Sequence, residues 1–182
     1  MKTKKSRCFV LMVIMSVSML YGQDRLLWNA NRKLKIQDFK IHSTSVTTPC
    51  FAQFYIENQL NGIDFLRKNF NKKVSCYMIS SASWIDTTQN VNQMLQYQQV
   101  LFDMSEVFTR KFRKALRENR SKIANGFQIV QELNDRIMTD FSNERLNFEK
   151  ETKMGIDIIQ VGVWETKINE ELDAFSDYAY EK

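Results

Sequence analysis

This 182-residue chain has one histidine, one proline, five glycines and three cysteines. Each scarcity removes a class of answers. A single histidine, His42, cannot build a site needing two or three imidazoles around one metal ion. Five glycines are too few for a phosphate-cradling Gly-rich loop, and one proline leaves no polyproline or low-complexity tract. Three cysteines exclude a disulfide framework of the small secreted kind and a four-cysteine zinc site. No internal repeat or long linker interrupts the sequence. What is present is core-forming material: 43% hydrophobic and 12% aromatic residues, with 13 Phe and 3 Trp. That composition predicts a folded chain long enough for one domain and too short for two large ones.

The formal charge of +5 invites a nucleic-acid or anionic-membrane reading, and its distribution removes it. Lys2, Lys4, Lys5 and Arg7 lie in the first 22 residues without an acid, so the remainder holds 22 basic residues (26 minus 4) against 21 acidic ones. The cluster Arg110-Lys-Phe-Arg-Lys114 is spread around a helix by its spacing and makes no basic stripe. No nucleic-acid partner is expected.

The cationic start precedes an apolar run of 13 residues, Cys8 to Leu20, then Gly22 and the polar Gln23-Asp24-Arg25. At about 1.5 Å per helical residue this run is short for a hydrocarbon core of about 30 Å. It reads as a secretory signal peptide over residues 1–22, cut between Gly22 and Gln23, and predicts a secreted or periplasmic protein. Leu20 is larger than usual three residues before the cut, so the alternative is an uncleaved anchor, the one route to a membrane. Cys8 leaves with the signal. Cys50 and Cys76 then remain in an oxidising compartment, either as a disulfide or as two buried free thiols on neighbouring strands; the sequence leaves both open.

From Leu26 to about Ser80 apolar residues fall in short β-branched and aromatic clusters, Val46 to Ile56 and Val74 to Ile79, which predict strands, with Asn61-Gly62 as a turn. Near Thr87 the period changes. Val91, Met94, Leu95, Leu101, Phe102, Val107, Phe108, Phe112 and Leu116 predict a long amphipathic helix at about 88–124, ending in a left-handed cap at Asn125-Gly126. A second helix carries Val130, Leu133, Ile137, Phe141 and Leu146 and is broken at Gly155. A third, about Val161 to Tyr178, places Trp164, Ile168, Leu172 and Phe175 on one face. The class is α+β: a short antiparallel sheet packed on a helical C-terminal half.

Four pieces in order resemble one family. Leu27-Trp28, Arg32-Lys33-Leu34 and Asp38-Phe39 are similar to an opening I/L-x-W…R-K-L-T-W-x-D-F, and Ser83-Trp84 to an S-W after a strand region. Tyr97 to Lys114 occupies the frame H-E-Q-x-H-F-D…E-L-Y-A-R-K-L-R-K, keeping Phe102-Asp103, Glu106 and Arg110 to Lys114 in register. Phe148 to Gly155 occupies Y-D-x-E-T-x-H-G, with Trp164 following. These are features of the DUF922 family, secreted bacterial proteins regarded as zinc-dependent proteases. The resemblance runs over residues 23–182 as a single protease-related domain with a zincin-like helix, and zinc is expected in active relatives.

The centre of that frame is emptied here. H-E-x-x-H puts two histidines four residues apart on one helical face to share a zinc, with the glutamate activating the bound water. This chain reads Tyr97-Gln98-Gln99-Val100-Leu101. Leucine has no lone pair, a phenol with an ordinary pKa near 10 is a poor zinc ligand, and glutamine accepts no proton. The downstream ligand position holds Met154, a thioether that suits softer ions. The resemblance therefore implies a pseudoprotease: no catalytic residue at Tyr97, Gln98, Leu101 or Met154, no cofactor, and a role in binding an unidentified protein or peptide. The alternative is a metal-dependent hydrolase with a rebuilt carboxylate site, for which Asp103, Glu106 and Glu151 are the candidate ligands, with Glu149 nearby. His42 with Asp38, Ser43 and Ser45 lacks a nucleophile-elbow context and is no triad.

Overall fold

The computed structural model describes residues 24–42, 48–61, 64, 67, 69–88 and 90–182. The predicted signal segment, with Cys8 and the expected Gly22/Gln23 cut, lies outside them, as do Gly62 of the predicted turn and Ser43 to Val46.

The organising strand is β4 (Val74–Ile85), whose β-branched and aromatic residues are buried along much of its length. β3 (Cys50–Asn58) pairs antiparallel along one side of it, from Asn58 opposite Val74 to Cys50 opposite Ile85. The other side is shared. β1 (Arg25–Leu27) runs antiparallel against Tyr77 to Ile79, and β2 (Ile41–His42) runs parallel against Trp84 and Ile85. The β3–β4 ladder carries an irregularity between Phe51 and Gln53. Ser83 plugs it: its Oγ accepts from Gln53 N at 3.1 Å and donates to Ile79 O at 2.7 Å. The Ser83-Trp84 pair thus lies within the strand, with Trp84 stacked on Phe51 at 4.6 Å.

Against this sheet lies α1 (Val91–Glu118), and a short α2 (Arg120–Asn125), α3 (Gln128–Glu151) and α4 (Ile158–Ala174) follow it in the chain. The fold is α+β, as the change of period predicts. α1 differs from its amphipathic reading, because every residue from Tyr97 to Arg110 is buried. A helix covered on all sides sits at the centre of a domain: the sheet takes one side, α3 and α4 the others. One contiguous cluster of buried side chains joins the sheet to all four helices.

Two boundary details are corrected. Gly126 has φ 170°, an extended conformation and not a left-handed cap. On α3 Leu146 is 59% exposed and Phe148 is the buried residue of that turn, because the buried stripe follows 3.6-residue geometry past Phe141. The disulfide reading is also corrected. Cys76 lies opposite Ile56, six residues along β3 from Cys50, and at about 3.3 Å per residue the register separates the pair by roughly 20 Å, far beyond the ~7 Å a bridge tolerates. Both are free, buried thiols.

Candidate functional site

Tyr97, Gln98 and Leu101, one turn of α1, face a cavity of about 460 Å³. Its second wall is the start of β3, with Pro49, Cys50 and Phe51; its third is α3 and the loop after it, with Arg145, Glu149, Met154 and Gly155. All four positions that the resemblance sets at a metal site, Tyr97, Gln98, Leu101 and Met154, therefore line one space.

The loop after α3 is shaped to close that space. Lys153, Met154 and Gly155 take successive left-handed conformations, with φ of 51°, 58° and 89°. The first two carry side chains that pay a steric penalty there, so the surrounding bonds must hold the turn. Thr152 Oγ1 donates to Phe148 O at 2.6 Å, Met154 N donates to Glu149 O at 2.7 Å, and Asp157 N to Thr152 O at 2.9 Å. From α1, Gln93 Nε2 donates to Gly155 O at 2.7 Å. The result lays the Gly155 backbone on Tyr97, so close that an added Cβ would sit 2.8 Å from ring carbons Cγ and Cδ2. Tyr97 cannot retreat, being stacked on Phe148 at 4.9 Å, which meets Trp164 edge-on at 5.5 Å. Glycine is required at 155 by both the φ and the approach.

The electrostatics of the cavity favour neutral groups. Burial pushes the Tyr97 phenol well above its ordinary value, with Glu149 adding to the shift, so no phenolate forms at neutral pH. Burial likewise pushes the Cys50 thiol up to about 12, partly offset by the Gln98 side chain, leaving a protonated and unreactive thiol. Arg145 and Glu149 are paired at 2.7 Å. Gln98 is the exception to satisfaction: its Nε2 reaches Cys50 O at 3.5 Å, while its buried Oε1 has no hydrogen-bond partner.

These donors do not fit zinc. Leu101 has none, Tyr97 is held protonated, and Gln98 and Met154 offer only a neutral amide and a thioether. Met154 moreover is 59% exposed.

Asp103, Glu106 and Glu151, the carboxylates considered as a rebuilt set, are not brought together. Asp103 Oδ1 accepts from Trp28 Nε1 at 2.7 Å and from Gln99 Nε2 at 2.8 Å. Glu106 Oε1 accepts from Arg110 Nε at 3.0 Å and Arg113 Nη1 at 2.8 Å. Glu151 accepts from Trp164 Nε1 at 2.8 Å on the far side of α3. Among the described residues no group of three or more His, Cys, Asp or Glu could hold a metal ion. His42 is exposed on β2, and Asp38 is paired with Arg32 at 2.6 Å.

Sequence reasoning missed the partners that these buried charges find on other elements. Arg113 is wholly buried, donating through Nε and Nη2 to Val74 O at 3.0 and 2.7 Å and through Nη1 to Tyr178 O at 2.8 Å. Arg110 Nη1 donates to Leu172 O at 2.5 Å and its guanidinium lies 5.2 Å from the Trp28 ring centre. Gln99 Oε1 accepts from Leu34 N at 2.7 Å. The spacing of Gln99, Asp103, Glu106, Arg110 and Arg113 is that of one helical face, a signal that was present in the sequence. The stripe ties α1 to the N-terminal segment, β4, α4 and the C-terminus.

No family model matches the chain, and no curated protein or solved structure matches it at a significant level.

Proposed function

We propose that this protein is a secreted or periplasmic, catalytically inactive relative of the DUF922 zinc-dependent proteases, working as a binding module for a protein or peptide. The observation that carries the reading is the convergence of Tyr97, Gln98, Leu101 and Met154 around one cavity, at the positions where the resemblance expects ligands and base, with no zinc-binding chemistry among them. The carboxylates Asp103 and Glu106 keep their places in the same frame, and each is committed to structural partners. The groove between β3 and α1 is open to an extended chain, since β3 pairs with β4 on one side and with no strand on the other among the described residues.

The test is elemental analysis of protein purified without chelator, together with a peptide-cleavage assay with and without chelator. Sub-stoichiometric transition metal and no chelator-sensitive cleavage are expected. About one metal per chain with such cleavage overturns the reading. Export is tested separately: the mass of the protein recovered outside the cytoplasm is expected to correspond to a chain beginning at Gln23.

A further inference from the structure

We infer that the cavity at the emptied centre recognises a large apolar side chain within a neutral peptide, the main-chain N–H beside that side chain donating to Gln98 Oε1. This deepens the binding-module reading and rests on it. The leading observation is the orphaned acceptor. Gln98 is 2% exposed, lines the cavity and reaches Cys50 O through Nε2 only at 3.5 Å, while its Oε1 is covered and has no partner, so a ligand meets that acceptor when the loosely held amide turns toward the cavity. A desolvated acceptor is costly to leave unpaired, and a ligand that brings a donor recovers that cost. The donor that every peptide carries is the main-chain N–H.

The walls set the rest of the ligand. Phe51, Met94, Tyr97 and Leu101 present ring and aliphatic surface. The charged neighbours Arg145 and Glu149 are paired with each other, so the cavity asks for no charge in return. Its volume of about 460 Å³ exceeds one side chain and suits a side chain with its flanking backbone, within the ~300–1,000 Å³ usual for ligand sites. Two features favour a chain over a free small molecule. Cys50 and Phe51 in the wall open β3, whose outer edge offers backbone groups to an added strand. Met154 and Ile156 carry the apolar surface out of the mouth, at 59% and 75% exposure, where a neighbouring residue of the same peptide would rest.

The experiment is an NMR titration of the purified protein with acetyl-Thr-Phe-Thr-amide, the same peptide N-methylated at Phe, acetyl-Thr-Asp-Thr-amide, and benzyl alcohol. Shift changes at Gln98, Leu101 and Gly155 are expected with the Phe peptide, which binds at least tenfold more tightly than the Asp peptide. N-methylation weakens it about tenfold, the worth of one hydrogen bond to a desolvated acceptor. In Gln98→Met the two Phe peptides bind within about twofold of each other; in Leu101→Phe, which fills the cavity, the Phe peptide loses at least tenfold. No Phe-peptide binding up to about 10 mM, equal binding of the Asp peptide, indifference to N-methylation in the unsubstituted protein, or benzyl alcohol binding as tightly as the peptide overturns the inference. Each of those results in a metal-free, non-cleaving protein leaves the inactive-module reading standing, whereas cleavage of the Phe peptide removes that reading itself.

Discussion

Helix α1 has two polar faces that were treated in opposite ways. On one, Gln99, Asp103, Glu106, Arg110 and Arg113 form a buried stripe in which every side chain is satisfied, Glu106 by Arg110 and Arg113 of the same helix and the other four by groups on other elements. On the other, Tyr97, Gln98 and Leu101 border open space, and the buried polar atom there is left without a partner. The first face has the chemistry of structure, and the second is the face on which the proposed binding rests. Buried polarity alone does not distinguish them; satisfaction does.

The contrast can be broken most decisively at Arg113. Arg113→Met leaves Glu106 with a weaker partner set and strands the carbonyls of Val74 and Tyr178, and is expected to cost about 3–5 kcal/mol in denaturant unfolding. The double variant Glu106→Gln/Arg113→Met should lose less than the two single losses combined. A loss below about 1 kcal/mol for Arg113→Met would end the claim that the stripe is structural. Gly155→Ala comes next: strain at positive φ and the contact with the trapped Tyr97 ring predict a loss of about 2–3 kcal/mol.

The adjacent glutamines sharpen the comparison further. Gln99→Met gives up bonds to Leu34 and Asp103 and should cost about 1–2 kcal/mol, whereas Gln98→Met removes an unpaired acceptor and should be neutral or stabilising by up to about 1 kcal/mol. Opposite signs at neighbouring positions of one helix are read directly from paired thermal melts.

The smallest effect is a pH dependence at Asp103. Burial raises its carboxyl above the ordinary 3.8, against the lowering by Trp28, Lys33 and Gln99. The folded state then holds this proton more tightly than the unfolded chain, so its contribution to stability is greatest below 3.8 and declines as pH rises toward the folded value. Asp103→Asn keeps the Oδ1 that accepts from Trp28 and Gln99. Relative to the parent its stability should therefore improve as pH climbs through that window and level off above it.

Much of this was readable from residues alone. The switch from period 2 to period 3.6 near Thr87 placed the sheet before the helices, and the spacing of Tyr97, Gln98 and Leu101 put them on one turn. That Met154 would join them depended on the turn after α3, whose left-handed residues Lys153 and Met154 have no propensity signature. The separation of Cys50 from Cys76 depended on register, which pairing partners fix and local sequence does not. α1 reads as one-sided because its apolar period alone marks a single face; only the mutual spacing of Asp103, Glu106, Arg110 and Arg113 shows that they can satisfy one another indoors.

The buried guanidinium of Arg113 also sets a timetable. Its bonds join the first residue of β4 to Tyr178, past the end of α4, and those of Arg110 reach Leu172. Among the described residues β1 and β2 likewise pair only with β4, which follows both in the chain. Synthesis delivers Leu172 and Tyr178 after every described strand and after α1 to α3, so α1 is expected to pack against the sheet before its cations find these acceptors. The segment from Leu172 to Tyr178 acts as the clasp of the fold, and a chain shortened before Leu172 is expected to be cut faster in limited proteolysis.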